Sequence, residues 1–476
     1  MPERTATSRE LAVLVLAAGK GTRMKSRTAK VLHPIAGRPM LAFPLAAAEA
    51  LGPARLVVVV GRDAEQVRQA FAGRARFAAQ PEQLGTGHAV LQAREELAGF
   101  SGDVLILYGD TPLLRPETLR RLVACKAESR ADLCLLSAEI DVPGIVLRGP
   151  DGRVARIVEA TDATPQELLL RERNTGVYLL DAGLLFKTLD RVGQENAQGE
   201  IYLTSIVELL VADGCRVEAL TLEDAEEALG VNTRVELARA AAAIRRRVNV
   251  RHQLGGVTLV DPESTWIDVD VEIGPDTLIE PGCAIQGSTR IGSSVHIKPH
   301  CTIESSEIGD EVEMGPCAHL RPGTVLGRRV RVGNFVEIKN STLGDGTKAD
   351  HLSYIGDADV GAGASFGCGA VVVNYDGLSK HRTRVGDRAF VGCNANLVAP
   401  LTLAPDSFVA AGSTVTRDVP AQALAIARSE QTNVEGWVTR RRAERAAAEA
   451  AGEESARGKS SEKRPRGPRK PSKRPR

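Results

Sequence analysis

Three groups of residues in this chain have the types and spacing to do chemistry. The first is a loop, LAAGKGTRMKS, directly behind an apolar run that begins at Leu11. Small residues at Ala17, Ala18, Gly19 and Gly21 let backbone N–H groups approach phosphate oxygens unobstructed, and Lys20, Arg23 and Lys30 add positive charge. Two unit charges ~4 Å apart attract by about 4 kcal/mol at an effective dielectric of about 20, so the position of one cation matters to a triphosphate. The loop lacks the GxxxxGK[ST] pattern of a Walker motif, and an isolated GxG also reads as a plain strand-to-helix turn. The second group is Asp110, closing DVLILYGD, where a carboxylate can hold a hard cation that bridges phosphates; capping the turn before Thr111-Pro112 is its alternative role. The third is His351 in KADHLSYIGD. With an unperturbed pKa of about 6.5, a histidine there suits a general base, against the plainer reading of a surface residue.

The elements that must position these groups differ between the two halves of the chain. From Leu11 to about Gly230, short apolar runs (LAVLVLAAG, RLVVVV, DVLILYGD) alternate with helical stretches (DAEQVRQAF, ETLRRLVACK). That alternation predicts a Rossmann-like α/β domain with a mostly parallel sheet and helices on both faces. Ligands bind such sheets beyond the carboxyl ends of the strands, where the glycine loop and Asp110 fall. After Asn232, TRVELARAAAAIRRRVNVRHQL is rich in strong helix formers and stops at Gly255-Gly256, which predicts a linker helix with its arginines on a solvated face.

Beyond the linker, apolar residues recur every six positions, from Ile273 to Ile303, from Ile308 to Ile338 and from Val385 to Val415. No amphipathic α-helix repeats at six. A parallel β-helix does, because each six residues make one short strand and turn with the apolar side chain inward. The period slips by one residue between Ile303 and Ile308, between Ile338 and Leu343 and between Ile355 and Val360, and it opens into the loop NYDGLSKHRT after Val372. Function in a regular solenoid is expected at such irregularities, and His351 lies between two of them.

The ordered set LAAGKGTRM, KVLHPIAGRPM, QPEQLGTGHA and LYGDTPLL resembles the sugar-phosphate nucleotidyltransferases, in the form of their N-acetylglucosamine-1-phosphate uridylyltransferase branch. The resemblance implies that Leu16, Ala17, Ala18 and Gly19 contact the nucleotide, that Arg23 and Lys30 hold the phosphates, and that Gln80, Gly85 and Thr86 read the uracil. Tyr108 and Gly109 belong to the same binding segment. Asp110 and Asn232, the latter in GVNTR, would be the ligands of a Mg²⁺ ion, and Gly144, Glu159 and Asn174 would face the sugar. The sequence departs from the family at Ala29, where proline is usual, at Thr161, where lysine is usual, and in VPGIVLR, a shortened form of the segment that carries Gly144.

In the second half, RPG at Arg321, VEIKN at Glu337 and Lys339, DHLSYIGD at His351 and Tyr354, and the Asn374-Tyr375 loop resemble the acetyltransferase half of the bifunctional uridylyltransferases. The repeat is similar to the left-handed β-helix of hexapeptide-repeat acyltransferases, which implies a homotrimer. By this resemblance His351 takes the proton from an amine attacking the thioester of acetyl-CoA, a role worth about 10²–10⁴-fold, and Glu337 orients or charge-balances it. Arg321 and Lys339 would hold the sugar phosphate, Tyr354 and Asn374 the amino sugar or oxyanion, and Tyr375, Ala411 and Arg428 acetyl-CoA. Ser365 stands where the family usually has asparagine and Cys393 where it has serine. With Cys368, both are assigned to the same substrate set. Cys368 and Cys393 read either as packed small residues or as a thiol-sensitive site.

Together the matches imply acetylation of glucosamine-1-phosphate, then coupling of N-acetylglucosamine-1-phosphate to UTP with release of pyrophosphate. The product would be UDP-N-acetylglucosamine, a precursor for cell wall and lipopolysaccharide. Two other readings are a nucleotidyltransferase with the β-helix as scaffold, and a non-catalytic binding protein. The second must explain the phosphate loop, Asp110 and Asn232 together.

The 476 residues exceed what one core organises, and the division predicted is 1–232 nucleotidyltransferase, 233–254 linker helix, 255–437 β-helix and 438–476 a basic, disordered tail. The net charge of +1 hides that tail, in which a charged, Ala-rich stretch from Arg440 could form an exposed helix, while KRPRGPRKPSKRPR lacks the apolar residues to fold and is read as solvated, with contact to acidic polymers as the alternative. A polar start and a short first apolar run argue against a signal peptide, and no stretch is long enough to span a membrane. Eight cysteines without CxxC pairs argue against a disulfide framework or structural zinc, so a reducing cytoplasm is expected.

Overall fold

Leu11–Ala17 is the first strand in the computed structural model, which describes residues 9–62 and 64–460, with side chains through 453. Its period-two alternation divides the core: Val13 and Val15 join the buried cluster on one face of the sheet, and Ala12, Leu14 and Leu16 the cluster on the other. Full burial of each such aliphatic side chain is worth ~1.5–3 kcal/mol, so helices must cover both faces. The sheet runs Val217–Thr221, Leu133–Glu139, Glu172–Asp181, Asp103–Tyr108, Leu11–Ala17, Arg55–Val60, Arg76–Ala79. All neighbours are parallel except Glu172–Asp181, which is antiparallel to both of its partners. An antiparallel pair, Gly144–Arg148 with Val154–Glu159, attaches at one side.

The connecting helix Arg234–Leu254 begins at a capping box in which Thr233 and Glu236 satisfy each other's backbone N–H groups, and it ends at Gly255. Ala240, Ala243, Ile244 and Val248 are buried in a cluster that also contains Ile35, Met40 and Leu113 of the α/β domain and the interior of the solenoid. The expected solvated face holds at Arg239, Arg246 and Arg251, which are exposed, and is corrected at Arg245 and Arg247. Arg245 is 9% exposed, stacks over Trp266 at 4.6 Å and pairs with Glu263 at 2.5 Å, while Arg247 donates to Leu113 O at 2.6 Å and Arg251 to Val269 O at 3.0 Å. The apolar stems of these arginines pack along the helix while the guanidinium groups reach their partners.

From Thr258–Leu259 to Leu424–Ala425 the chain winds as a left-handed β-helix of three parallel sheets with ten, nine and eight short strands. A regular coil brings Ile285 beside Ile303, eighteen residues on. The slipped coils are one residue shorter, pairing Ile303 with Leu320 and Ile338 with Ile355, whereas the loop after Val372 lengthens its coil so that Val372 meets Leu397. The shortening falls at one corner, where Ser305, Asn340 and Asp357 turn the chain at φ 39°, 45° and 50°. Buried Ser341 donates there to Lys339 O at 2.8 Å and accepts from Ala358 N at 2.9 Å, satisfying the tightened corner.

The chain falls into two compact units, one through Ile426 and one from Ala427. The second carries a helix, Trp437–Ser460, over the charged, Ala-rich stretch from Arg440 that the sequence offered as an exposed helix, within the span 438–476 assigned to the tail. Alanine with paired charges explains this: Arg445 donates to Glu449 one turn on at 2.8 Å. The terminal KRPRGPRKPSKRPR lies outside the described residues.

Two candidate active sites

In the α/β domain the carboxyl ends of the strands converge on a cavity of about 240 Å³. Leu16, Ala17, Ala18, Gly19, Lys30, Gln80, Gly85, Thr86, Tyr108 and Asp110 all line it, as the sequence implied, together with Val31, Gln83, Ala89 and Glu200, which it did not. Gln83 donates to Ala18 O and so ties the QLGTG segment to the phosphate loop. Gly85 has φ +107°, and a Cβ there would stand 2.6 Å from Ile201 O, so only glycine fits. Gln80, 4% exposed, has its amide Nε2 3.1 Å from both Gly85 O and His88 Nδ1, which fixes the side chain that faces the cavity.

Lys30 lies at the centre of the charge pattern. Its ammonium pairs with the Asp110 carboxylate and donates to Asn232 Oδ1 at 3.1 Å, so two oxygens from residues far apart in sequence face one cation. The backbone explains the meeting, since Val231 N donates to Asp110 O at 2.9 Å and Glu236 accepts from Asn232 N at 2.7 Å. Gly109 N donates to Leu16 O at 2.9 Å, joining the two loops at the strand ends. Arg23 sits outside the cavity lining, in a short turn, Thr22–Met24.

Gly144 pairs with Glu159, and a Cβ on Gly144 would come within 3.1 Å of Asn174 Cβ, so the shortened VPGIVLR segment still groups the three residues expected on the sugar side. Asn174 donates to Tyr178 OH at 2.6 Å, and Thr204 donates to Glu159 at 3.2 Å. Burial raises the Glu159 carboxyl above the ordinary range, and burial followed by the Asp110 charge raises the Tyr108 phenol.

On the β-helix, the shortened coils assemble a polar column. Asn340, Asp357 and Asn374 are each seventeen residues apart, and Asp357 accepts from Asn340 and from Asn374 at 2.5 Å each. Asn374 also lies 3.4 Å from Tyr354 OH. Burial pushes the Asp357 carboxyl up, but the two amide bonds and the Lys380 and Lys339 ammonium groups outweigh it, leaving it below the usual range. Lys380 in turn lowers Lys339, as expected of two ammonium groups crowded into one anion-attracting patch. Tyr375 is exposed, donates to Gly377 O at 2.6 Å and bridges to Lys380. Asp357, Asn340 and Lys380 were not singled out in the sequence.

The expected partner of His351 is corrected. Glu337 pairs instead with Arg321 at 2.9 Å, and His351 Nδ1 meets Asn334 Oδ1 at 2.9 Å across paired strands. An amide oxygen can only accept, so Nδ1 carries the proton and Nε2 is left as the basic nitrogen. Ser365 opens its strand, with N donating to Ala389 O at 2.9 Å. Cys368 and Cys393 are exposed, Ala411 follows on the next coil, and Arg428 belongs to the second unit.

Residues 13–174 match the model of the MobA-like NTP transferase domain and residues 255–343 that of the GMPPB C-terminal domain. The "Bifunctional protein GlmU" of Pelobacter propionicus is 51% identical over 449 residues, covering 90% of this chain and 98% of the relative. Those of Trichlorobacter lovleyi and Geobacter sulfurreducens are 48% and 47% identical at 90% and 91% coverage of this chain. The chain belongs to the GlmU family. Its match to GlmU proteins takes in both the cavity at Lys30 and Asp110 and the solenoid corner at His351, so neither site is an appendage of the other.

Proposed function

We propose that the chain makes UDP-N-acetylglucosamine in two steps at these two sites. The observation that carries the reading is the presence on one GlmU-family chain of the Lys30–Asp110–Asn232 cluster and the His351–Asn334 pair. At the solenoid, His351 Nε2 takes the proton from the amine of glucosamine-1-phosphate as the nitrogen attacks the acetyl-CoA thioester. Arg321, Lys339 and Lys380 supply the charge that holds the sugar phosphate, and Asn374 and Tyr354 supply donors for the amino sugar or the developing oxyanion.

At the cavity, a sugar-phosphate oxygen attacks the α-phosphorus of UTP in line, and pyrophosphate leaves. The Asp110 carboxylate and Asn232 carbonyl are hard oxygen donors that already face a positive charge, so they fit a Mg²⁺ ion, which when bound neutralises charge on the phosphates. Lys30 and Arg23 bind phosphate oxygens, Gln80 and Thr86 orient the base, and Glu159 and Asn174 orient the sugar. Positioning and charge do the work. No helix among the described residues is long and apolar enough to cross a membrane, and we assign the enzyme to the cytoplasm as a homotrimer.

The test is a mass-resolved assay with glucosamine-1-phosphate, acetyl-CoA, UTP and Mg²⁺, run beside His351→Ala and Asp110→Ala. Wild type should give UDP-N-acetylglucosamine, His351→Ala should leave the amine unacetylated, and Asp110→Ala should stop at N-acetylglucosamine-1-phosphate. A wild-type chain that couples pre-acetylated sugar phosphate but never acetylates the amine would make the solenoid a scaffold.

A further inference from the structure

Of the eight cysteines, two are exposed, Cys368 and Cys393, and the fold brings those two together. They are twenty-five residues apart, the length of the one lengthened coil. Ser365 pairs with Phe390 and Phe366 with Val391, and continuing that register sets Cys368 beside Cys393. The hydrogen bonds on either side agree: Gly367 N donates to Val391 O at 2.7 Å and Asn394 N to Cys368 O at 2.8 Å. The coils are closely apposed, since a Cβ on Gly367 would stand 2.6 Å from Cys393 N. Adjacent parallel strands run about 4.8 Å apart, inside the Cα separation of roughly 4.4–6.8 Å that a disulfide spans, and the two Cβ atoms must draw together by a few tenths of an ångström to meet its range of about 3.5–4.5 Å. The next coil continues the column, with Phe390 paired to Phe408 and so Cys393 beside Ala411.

We propose that Cys368 and Cys393 are a dithiol modification site that closes the acyl-donor corner of the solenoid when oxidised. The location of that corner rests on the acetyltransferase reading above. The oxidant class is a low-molecular-weight disulfide, RSSR. One cysteine thiolate attacks RSSR, forming a mixed disulfide and releasing RS⁻; the second thiolate attacks the protein sulfur of that bond and releases another RS⁻. The two thiol protons pass to the departing thiolates, so RSSR and two cysteines become one cystine and two RSH. The cross-link lies along the line Cys368, Cys393, Ala411, where the coenzyme arm would otherwise rest. The cavity at Lys30 and Asp110 contains no cysteine in its lining and is untouched.

The experiment treats the full chain with oxidised glutathione and follows three readouts: peptide mass, acetyl transfer and uridylyl transfer. Expected are a loss of two hydrogens within a linked peptide pair carrying Cys368 and Cys393, a drop of at least tenfold in acetyl transfer with uridylyl transfer unchanged, and recovery on adding dithiothreitol. Saturating acetyl-CoA should slow the oxidation. Cys393→Ser, compared only with its own reduced activity, should lose the sensitivity. Absence of the linked pair while reduced protein acetylates normally overturns the dithiol site and leaves the acetyltransferase reading intact. A linked pair with acetyl transfer unaffected overturns the closing role. A reduced chain that never acetylates fails the underlying reading instead.

Discussion

Lys30 is bound to both oxygens that would receive a metal, and that arrangement determines what its loss does. Lys30→Met removes the ammonium that Asp110 and Asn232 share and, on the proposed mechanism, a charge for the phosphates. Uridylyl transfer should fall by about 10²–10³-fold, the usual cost of one preorganised charge or donor at a transition state, with acetyl transfer unchanged when both are assayed on one preparation. At the other site, Asn334 is a positioning residue for His351. Asn334→Ala should lower kcat for acetyl transfer roughly tenfold with little change in KM, against the ~10²–10⁴-fold loss expected for His351→Ala. Equal losses for the two variants would mean that Asn334 does more than orient the ring. The reason Asn334 is invisible in the sequence is geometric. A regular eighteen-residue coil would put Gly333 opposite His351, and the seventeen-residue coil brings Asn334 there instead. The phosphate cavity was legible because its residues sit at strand ends inside recognisable local motifs. Of the polar column only Asn374 was, because Asn340 and Asp357 acquire meaning from register alone.

At the scale of elements, the connecting helix does more than join domains. Its last turn buries His252, 7% exposed, and burial, with the Arg251 charge adding, lowers that imidazole from 6.5 to about 4. The folded chain therefore keeps His252 neutral in a range where the unfolded chain protonates it. The sign follows from linkage: stability from this group is complete above about pH 6.5, declines as pH falls and levels off below about 4. Urea midpoints at pH 7.5 and pH 5 should differ, and His252→Gln should reduce that difference; an unchanged difference would assign the acid sensitivity elsewhere. The helix itself was readable from composition and its Gly255-Gly256 stop. Which arginines pack was not, because a guanidinium on a helix has the same local sequence whether it meets water, an indole ring or a carbonyl.

Across the whole molecule, the α/β domain and the solenoid share one apolar interior through that helix. Ile35, Met40, Leu113 and Val231 belong to the cluster that runs into the coils. A chain ending at residue 232 would leave these side chains without their cover, at a cost near ~25 cal/mol for each Å² of apolar surface returned to water. It should bind a hydrophobic dye and aggregate at concentrations where the full chain does not, and extending it through the first coils should restore solubility. The repeat made the solenoid legible, but nothing in the six-residue period announces that its first coils complete the core of the preceding domain.

Past the first coils, which also pack on the connecting helix and the α/β domain, each coil of one chain stacks on the coils before and after it, which makes the solenoid close to a one-dimensional lattice. Thr258–Leu259 is backed by the helix, while Leu424–Ala425 has a single strand beside it. In such a lattice opening proceeds like a zipper from the end where a unit has fewest neighbours. Amide hydrogen exchange should be slowest near Ile285 and Ile303 and quicken toward Val409, placing Ala411 on the first rungs to fray and His351 several rungs further in.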